Sequence, residues 1–251
     1  MQNITESKQI ISDSKNIYLI PSQGPEAIAL TLALFYTLKE LGKNVNLIIE
    51  NLPENLKFLS PSLDFVSYPK NFVISIPQKV ANISQVFYEK NEEALKIYLT
   101  VENGSIKKEN IAFYFSEVKP DLIITLGIKD YSQELSGRLN SFGFLLDSPI
   151  LNIDGQIASD ANGQNLSAQT ENKKFGKINL LDNYSLTEII FNLAKEINNN
   201  PIKKELANCL LSGLVIYTDN FKKDITAEVF EIASNLMKQG ADLKTITDNI
   251  K

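Results

Sequence analysis

Two short apolar runs with a capped apolar segment between them constrain the fold of this chain more than any other feature. The runs IYLIP at 17–21 and VNLII at 45–49 have the length and composition of buried strands. The segment between Gly24 and Gly42 predicts a helix, because Pro25 suits the first helical position and glycine suits the position just past a helix end. Strand, helix and strand in this order predict a parallel sheet with right-handed crossovers.

The rest of the chain continues this pattern, with one interruption. Apolar runs after Asp121 and Pro149 predict two more buried strands. Helical periodicity, with a capping-box pattern at Ser185 and Glu188, predicts further helices at about 131–140, 185–197, 204–215 and 224–239. Residues 66–118 instead alternate apolar and polar side chains at period two, and the pair Asn103-Gly104 is a turn signal. The predicted fold class is α/β, a parallel sheet flanked by helices, with an antiparallel β-hairpin insertion.

The domain organisation that we infer has few parts. A polar N-terminal tail, 1–15, precedes a single α/β domain, 16–251, which contains the insertion at about 66–118 and a polar loop at 155–174. The loop is rich in Asn, Gln, Ser and Ala, which predicts a solvated segment. The N-terminus has no apolar signal region, and no stretch approaches the ~18 uncharged apolar residues of a membrane span. We therefore expect a cytoplasmic protein with no membrane partner.

Histidine is absent from all 251 residues. Its absence excludes histidine as a general acid or base, Ser–His and Cys–His nucleophile pairs, and imidazole ligands to a metal. The one cysteine, Cys209, cannot form an internal disulfide, and its apolar sequence neighbours favour a buried, inert thiol. The formal net charge of -5, with both signs mixed along the chain, makes nucleic acid an unfavourable partner.

Several strings follow one another in the order found in the DHH phosphoesterases. SQGPEAIALTL at 22–32 stands where that family has H-x-x-P-D-x-D-A-L-G-S, and NIDGQ at 152–156 stands where it has D-H-H. The strand after Asp121 ends at Gly127, where the family has an aspartate, and GLVIYTDNF at 213–221 stands in place of G-x-x-T-D-T-x-x-F. The strings FGKIN at 175–179, SLTE at 185–188 and GADL at 240–243 match further family patterns. Over about 16–250 the chain resembles the oligoribonuclease/pAp phosphatase branch of this family, which is related to RecJ exonucleases.

The resemblance implies a phosphoesterase site from which most ligands are missing. Family members hold two divalent metals, usually manganese, which generate a hydroxide nucleophile. The positions implied for that site carry Ser22, Glu26, Ile28, Gly127, Asp154, Gly155, Gln156 and Tyr217. Asp154 keeps the family residue and Glu26 is a conservative change, and one or two carboxylates do not assemble a two-metal site. We therefore expect no cofactor, with a residual manganese or magnesium site as the alternative.

Three functions remain open. The preferred one is a catalytically inactive pseudoenzyme that binds a partner protein or a nucleotide in the former cleft; we also expect the chain to lack the smaller substrate-binding (DHHA1-type) domain of the family. The alternative is a metal-dependent phosphodiesterase or phosphatase on short oligoribonucleotides, pAp or cyclic dinucleotides, with a reduced site of Glu26, Asp154 and Asp160 or Asp219. In the third, the insertion is an interaction surface: an exposed strand there binds a protein partner or a second copy of the chain.

Each residual candidate also has a structural interpretation. Glu26 suits the positive end of a helix dipole. Asp154 stands at the carboxyl end of a parallel strand, where open α/β sheets bind ligands, but an aspartate there also caps loops. Tyr217 suits a ring that fills the core or the cleft, and Asp219 suits a turn. Gly24, at a helix N-cap, leaves room for a nucleotide phosphate.

Overall fold

The computed structural model describes residues 2–49, 52–61, 70–135, 148–155, 174–182 and 184–250. They fall into two compact units, one of Met1–Tyr68 with Lys119–Lys251 and one of Pro69–Val118. The strands are β1 (Asn16–Pro21), β2 (Asn44–Leu47), β3 (Lys70–Ser75), β4 (Ala81–Lys90), β5 (Leu95–Gly104), β6 (Ala112–Glu117), β7 (Leu122–Leu126), β8 (Ile150–Gly155) and β9 (Ile178–Asp182). The α-helices are α1 (Gln2–Asp13), α2 (Pro25–Glu40), α3 (Leu186–Ile197), α4 (Lys204–Tyr217), α5 (Ala227–Lys238) and α6 (Leu243–Asn249).

The larger unit is built on a parallel sheet of five strands in the order β2-β1-β7-β8-β9. β1 and β7 are buried along almost their whole length, as the continuous apolar runs indicate for strands covered on both faces. The predicted fold class is confirmed. The edge strand β9 and the short helix α6 are additions that the sequence analysis did not predict.

The first residues form a helix, which corrects the tail expected at 1–15. α1 covers Gln2–Asp13, and Ile11 is part of the main apolar core. Lys43 Nζ donates hydrogen bonds of 2.6 Å to the carbonyls of Ser12 and Ser14 and so ties the end of α1 to the start of β2. This helix is difficult to recognise in the sequence, because most of its residues are polar and only a few contact the core.

α2 lies at the centre of the larger unit. Its side chains are buried nearly all round, from Ala27 to Leu38, as expected for a helix that is apolar on every face. Gly213 of α4 lets the two helices approach closely, because a Cβ at that position would lie 2.7 Å from Leu30 Cδ2. The sheet, α2 and α4 thus stack as successive layers of one core.

The smaller unit contains two antiparallel ladders, β3 with β6 and β4 with β5. This confirms the antiparallel hairpin that period-two alternation predicted. The turn lies elsewhere than predicted: residues 91–94 join β4 to β5, and Asn91 Oδ1 accepts hydrogen bonds from the backbone N–H groups of Glu93 and Ala94. Gly104, expected in the turn, ends β5 with a φ of 91°, and a Cβ there would collide with the Val80 carbonyl.

Other boundaries differ in detail from the sequence expectations. The helix expected at 131–140 is described only as one π-helical turn, Tyr131–Leu135, and the polar loop at 155–174 lies mostly outside the described residues. Within the described ranges, no helix combines the length and the apolarity needed to cross a membrane.

Candidate functional site

The carboxyl ends of β1, β7 and β8 meet the first turn of α2 at one edge of the parallel sheet. Ser22 follows β1 and its N–H donates to the Leu126 carbonyl at 2.9 Å. Gly127 follows β7 and its N–H donates to the Ile153 carbonyl, also at 2.9 Å. These two hydrogen bonds place Ser22, Gly127 and Asp154 on adjacent strands, at the edge where open α/β sheets bind ligands.

Gly127 is a position that a larger side chain does not fit. Its φ of 67° is left-handed, and a Cβ built on it would lie 3.1 Å from Ser22 Oγ and 3.3 Å from Ala27 Cβ. An aspartate tolerates the left-handed backbone but would still have to displace these neighbours by a few tenths of an ångström. A glycine and a serine thus stand at two positions that the resemblance assigns to metal ligands.

Glu26 is held in a protein environment that favours its neutral form. The pKa of its carboxyl is raised to about 7, chiefly by burial; the negative charge of Asp154 contributes to the rise, while a hydrogen bond from Thr187 and the charge of Lys129 oppose it. Thr187 Oγ1, fully buried at the start of α3, donates to Glu26 Oε1 at 3.5 Å. The carboxyl is therefore divided between its two protonation states near neutral pH.

Asp154 and Gly155 end β8 against the start of α3. Asp154 is only 6% exposed, and its charge reaches Glu26. A Cβ on Gly155 would lie 2.8 Å from the Tyr184 carbonyl oxygen and 3.1 Å from the Leu186 nitrogen. Glycine thus allows the strand end to pack on the backbone that begins α3, where the resemblance implies a histidine.

Glu188 belongs to a complete capping box at the start of α3, as predicted. Its Oε2 accepts hydrogen bonds from the backbone N–H and the hydroxyl of Ser185, at 2.8 and 2.7 Å. The Glu188 N–H donates in return to Ser185 Oγ at 3.2 Å. These bonds give the Glu188 carboxylate a structural role beside the candidate site.

Ile28 and Tyr217 occupy different environments. Ile28 is buried in the main apolar core, where it packs the helix rather than lining a cleft. Tyr217 is half-buried at the end of α4; burial raises the pKa of its phenol, and the charges of Asp224, Glu188 and Glu26 raise it further. Tyr217 therefore stays neutral beside the carboxylates of the site.

A left-handed loop follows Tyr217. Asp219, Asn220 and Phe221 have φ values of 48°, 56° and 58°, and Asp224 has 51°. Asp and Asn adopt this conformation at little cost, whereas a phenylalanine there is strained. Thr218 anchors the loop, since its Oγ1 donates to the Leu214 carbonyl and accepts from the Phe221 N–H. The loop turns Asp219 into solvent, which agrees with a turn role for that residue.

A buried polar pair beneath the site was missed by the sequence analysis. Thr125 and Asn152 are directly opposite in β7 and β8, and Thr125 Oγ1 donates to Asn152 Oδ1 at 2.7 Å. Both side chains are fully buried. The signal was present as two polar residues inside apolar strand runs, which require a partner when buried.

The FGKIN string has a structural explanation. The Gly176 N–H donates to Asn179 Oδ1 at 3.0 Å, and Asn179 Nδ2 donates to the Gly176 carbonyl at 2.8 Å. A Cβ on Gly176 would lie 2.9 Å from the Ile150 carbonyl oxygen. This glycine and asparagine therefore close the turn that leads into β9.

The donor set does not fit a two-metal centre. Among the residues that the structure describes, no group of three or more Asp, Glu or Cys side chains could hold a metal ion. Glu26 and Asp154 are the carboxylates brought together at the positions that the resemblance assigns to metal ligands. Gln156 and Asp160, two further candidates, lie outside the described residues.

A surface cavity of the larger unit lies away from this site. Its volume is about 320 Å³, and it opens near the C-terminal end of α3, where Lys195 Nζ lies 5.2 Å from the centre of the Phe191 ring. The candidate site lies at the other end of the same helix.

No protein-family model matches this chain, and no curated protein matches it. A solved structure is similar over 99% of the chain: an exopolyphosphatase-related protein from Bacteroides fragilis, with a TM-score of 0.64 and 17% sequence identity. The chain spans 60% of the length of that protein. The two proteins share a fold, in agreement with the phosphoesterase fold that the sequence strings implied.

Proposed function

We propose that this chain is a DHH phosphoesterase-like domain that does not carry out two-metal hydrolysis and that binds a partner protein or a nucleotide at the former site. One observation carries the proposal: Ser22 and the left-handed Gly127 fill the strand-end positions where metal ligands belong. Two-metal catalysis needs several charged donors around paired ions, and these two residues supply none. The shared fold with an exopolyphosphatase-related protein supports a phosphoesterase ancestry.

The first turn of α2 suits a phosphate group better than a metal ion. Gly24 caps the helix without a side-chain hydrogen bond and is exposed. The N–H groups and the dipole at a helix N-terminus attract anions. Because the pKa of Glu26 is about 7, this carboxyl is half neutral at neutral pH and repels a phosphate less than an ordinary glutamate would.

A second candidate is a phosphoester hydrolase with a reduced site. A buried carboxyl with a pKa of about 7 has the properties of a general acid or base, and Glu26, which lies beside the second acidic residue Asp154, has this character. Its substrates would be short oligoribonucleotides, pAp, cyclic dinucleotides or inorganic polyphosphate.

Turnover assays separate the two candidates. Each substrate class is incubated with the protein across a titration of manganese and of magnesium, and phosphate or nucleotide release is measured. The proposal predicts no metal-dependent turnover, together with a rise in Tm on addition of pAp or another nucleotide if the ligand is a nucleotide.

The matched variants are Asp154→Asn and Asp248→Asn. Asp154 lies at the site, whereas Asp248 is exposed on α6. Turnover that is lost in Asp154→Asn and kept in Asp248→Asn would contradict the proposal and establish the reduced-site hydrolase.

A further inference from the structure

The β4–β5 hairpin carries two chemically different faces. Cross-strand partners share a face, and the pairs Val86–Leu99 and Tyr88–Ile97 lie on the same side, as alternation along each strand requires. We call this side the apolar face; its members are Val86, Tyr88, Leu95, Ile97, Leu99 and Val101. Val86 is 67% exposed, Tyr88 75%, Leu95 61% and Ile97 47%.

The opposite face of the hairpin carries polar and charged side chains beside two aromatic rings. Phe87 and Tyr98 stack with their ring centres 5.0 Å apart, and the Tyr98 hydroxyl donates to Glu89 Oε2 at 3.0 Å. Lys96 Nζ lies 3.9 Å from Glu89 Oε1. The charges on this face are paired and the two rings contact each other, although Phe87 remains 53% exposed and Tyr98 38%. Polar and charged groups surround these rings, so this face is the less apolar of the two.

The apolar face lacks a cover within the part of the chain that the structure describes. A two-stranded hairpin is only marginally stable alone in water, and an apolar face of this kind marks an interaction surface. The five most exposed side chains of the face are 37% to 75% exposed and present on the order of 500 Å² per copy. Two copies stacked face to face bury about 1,000 Å², the area at which specific interfaces begin.

We propose that the apolar face of the hairpin binds the same face of a second copy of this chain. A symmetric dimer brings identical patches together, so each patch must be compatible with itself. Lys90 is the only charged side chain among the cross-strand pairs of this face, and it lies at the turn end. A two-fold axis perpendicular to the strands places the two Lys90 side chains at opposite ends of the interface, and no like charges face each other.

The resulting dimer is a small β-sandwich of two hairpins about 10 Å apart. The face is apolar except for Lys90 at its turn end. This character favours an identical partner over a charged one. The dimer involves the smaller unit alone, and the inference does not rest on the function proposed for the parallel sheet.

Sedimentation equilibrium of the full chain from about 1 to 100 µM tests the proposal. We expect a monomer–dimer equilibrium that Ile97→Lys weakens by at least tenfold, because two lysines would be buried at the interface. Thr100→Lys is the matched control: it lies on the opposite face of the same strand and should leave dimerisation unchanged. A monomer throughout, or a dimer that both variants affect equally, would overturn the proposal and leave the face to another occupant.

Cysteine cross-linking gives a second readout that does not depend on affinity. The native Cys209 is fully buried, so an introduced thiol reacts alone. Under mild oxidation, Leu99→Cys near the middle of the apolar face should form a covalent dimer, whereas Thr100→Cys should not. Equal cross-linking of the two variants would mean random collision and would contradict the proposed interface.

Discussion

Glu26 illustrates how the surroundings of one residue change its chemistry. At the first turn of α2 the helix dipole favours an ionised carboxyl. Burial and the neighbouring charge of Asp154 outweigh the dipole, and the pKa is raised to about 7. The folded protein therefore binds a proton at Glu26 over a pH range in which the unfolded chain has released it.

This shift predicts a pH dependence of stability. Below pH 4.5 the carboxyl is protonated in both states, and as pH rises towards 7 the unfolded state releases its proton first, so stability from this group is lost over that range. Glu26→Gln removes the loss and should stabilise the protein at pH 8 by on the order of 1–3 kcal/mol, with no difference at pH 4. Chemical denaturation at both pH values measures the effect.

Glu228→Gln is the control, because its effect on the stability of the protein at pH 8 should have the opposite sign. Hydrogen bonds at the start of α5 lower the pKa of Glu228, so its ionised form stabilises the fold above the unfolded pKa and this stability is lost on acidification. The glutamine variant should be less stable than wild type at pH 8. If both glutamine variants shift stability in the same direction, the assignment of the Glu26 pKa is wrong.

Gly127 permits a second prediction at the scale of one residue. Gly127→Ala should destabilise the protein by about 2–3 kcal/mol, because the variant has both a left-handed φ and crowding against Ser22 Oγ. Gly42→Ala separates the two costs, since Gly42 has a φ of 73° and open space around it, and should cost only about 1 kcal/mol. Equal losses would show that crowding at the strand ends is negligible.

Packing between elements depends on close approach where helices cross. Gly213 lies against both Leu30 of α2 and Thr187 of α3, so one position fixes the spacing of three helices. The neighbouring Ser212 is fully buried, and its hydroxyl has no hydrogen-bond partner among the described residues. At these adjacent positions of α4, a substitution to alanine should therefore have opposite effects on stability.

Substitutions at these two positions should have opposite signs. Gly213→Ala places a methyl group 2.7 Å from Leu30 Cδ2 and 3.0 Å from Thr187 Oγ1, and should cost about 1–3 kcal/mol through overpacking. Ser212→Ala removes an unsatisfied hydroxyl and should be neutral or stabilise by about 1 kcal/mol. Urea denaturation of both variants gives the comparison, and a destabilised Ser212→Ala would mean that the hydroxyl has a partner after all.

At the scale of the whole molecule, the apolar cores belong to the larger unit. Both buried clusters, one on each side of the sheet, consist of residues from its two segments. The smaller unit consists of two-stranded ladders with many exposed apolar side chains. Its stability therefore depends on an additional contact, which the hairpin dimer would supply.

Removal of the insertion should leave the larger unit folded. A chain in which residues 70–117 are replaced by a flexible Gly/Ser linker of about 10 residues should unfold cooperatively, with a Tm within a few degrees of wild type at low protein concentration. The same chain should be monomeric at 100 µM. Differential scanning calorimetry and sedimentation test the two statements separately, and loss of cooperative unfolding would show that the two units fold together.

Local chemistry made much of the fold predictable from sequence. The βαβ start, the capping box at Ser185 and the period-two hairpin all follow from patterns within about 20 residues. The resemblance also named Ser22, Gly127 and Asp154 as positions of one site, which the structure brings together on adjacent strand ends. The turn prediction at Asn103-Gly104 failed because this pair has the composition of a turn, whereas the structure requires Gly104 for its close approach to the Val80 carbonyl.

The sequence by itself determined the βαβ start, the capping box at Ser185, the absence of histidine chemistry and the apolar character of the hairpin. Tertiary structure alone decided that α1 packs on the core, that Glu26 has a pKa of about 7 and that a side chain at position 127 would crowd Ser22. The physical reason is distance along the chain. Burial, charge and close approach at these positions come from residues far apart in the chain, such as Glu26 and Thr187, which are 161 residues apart, and no local pattern records them.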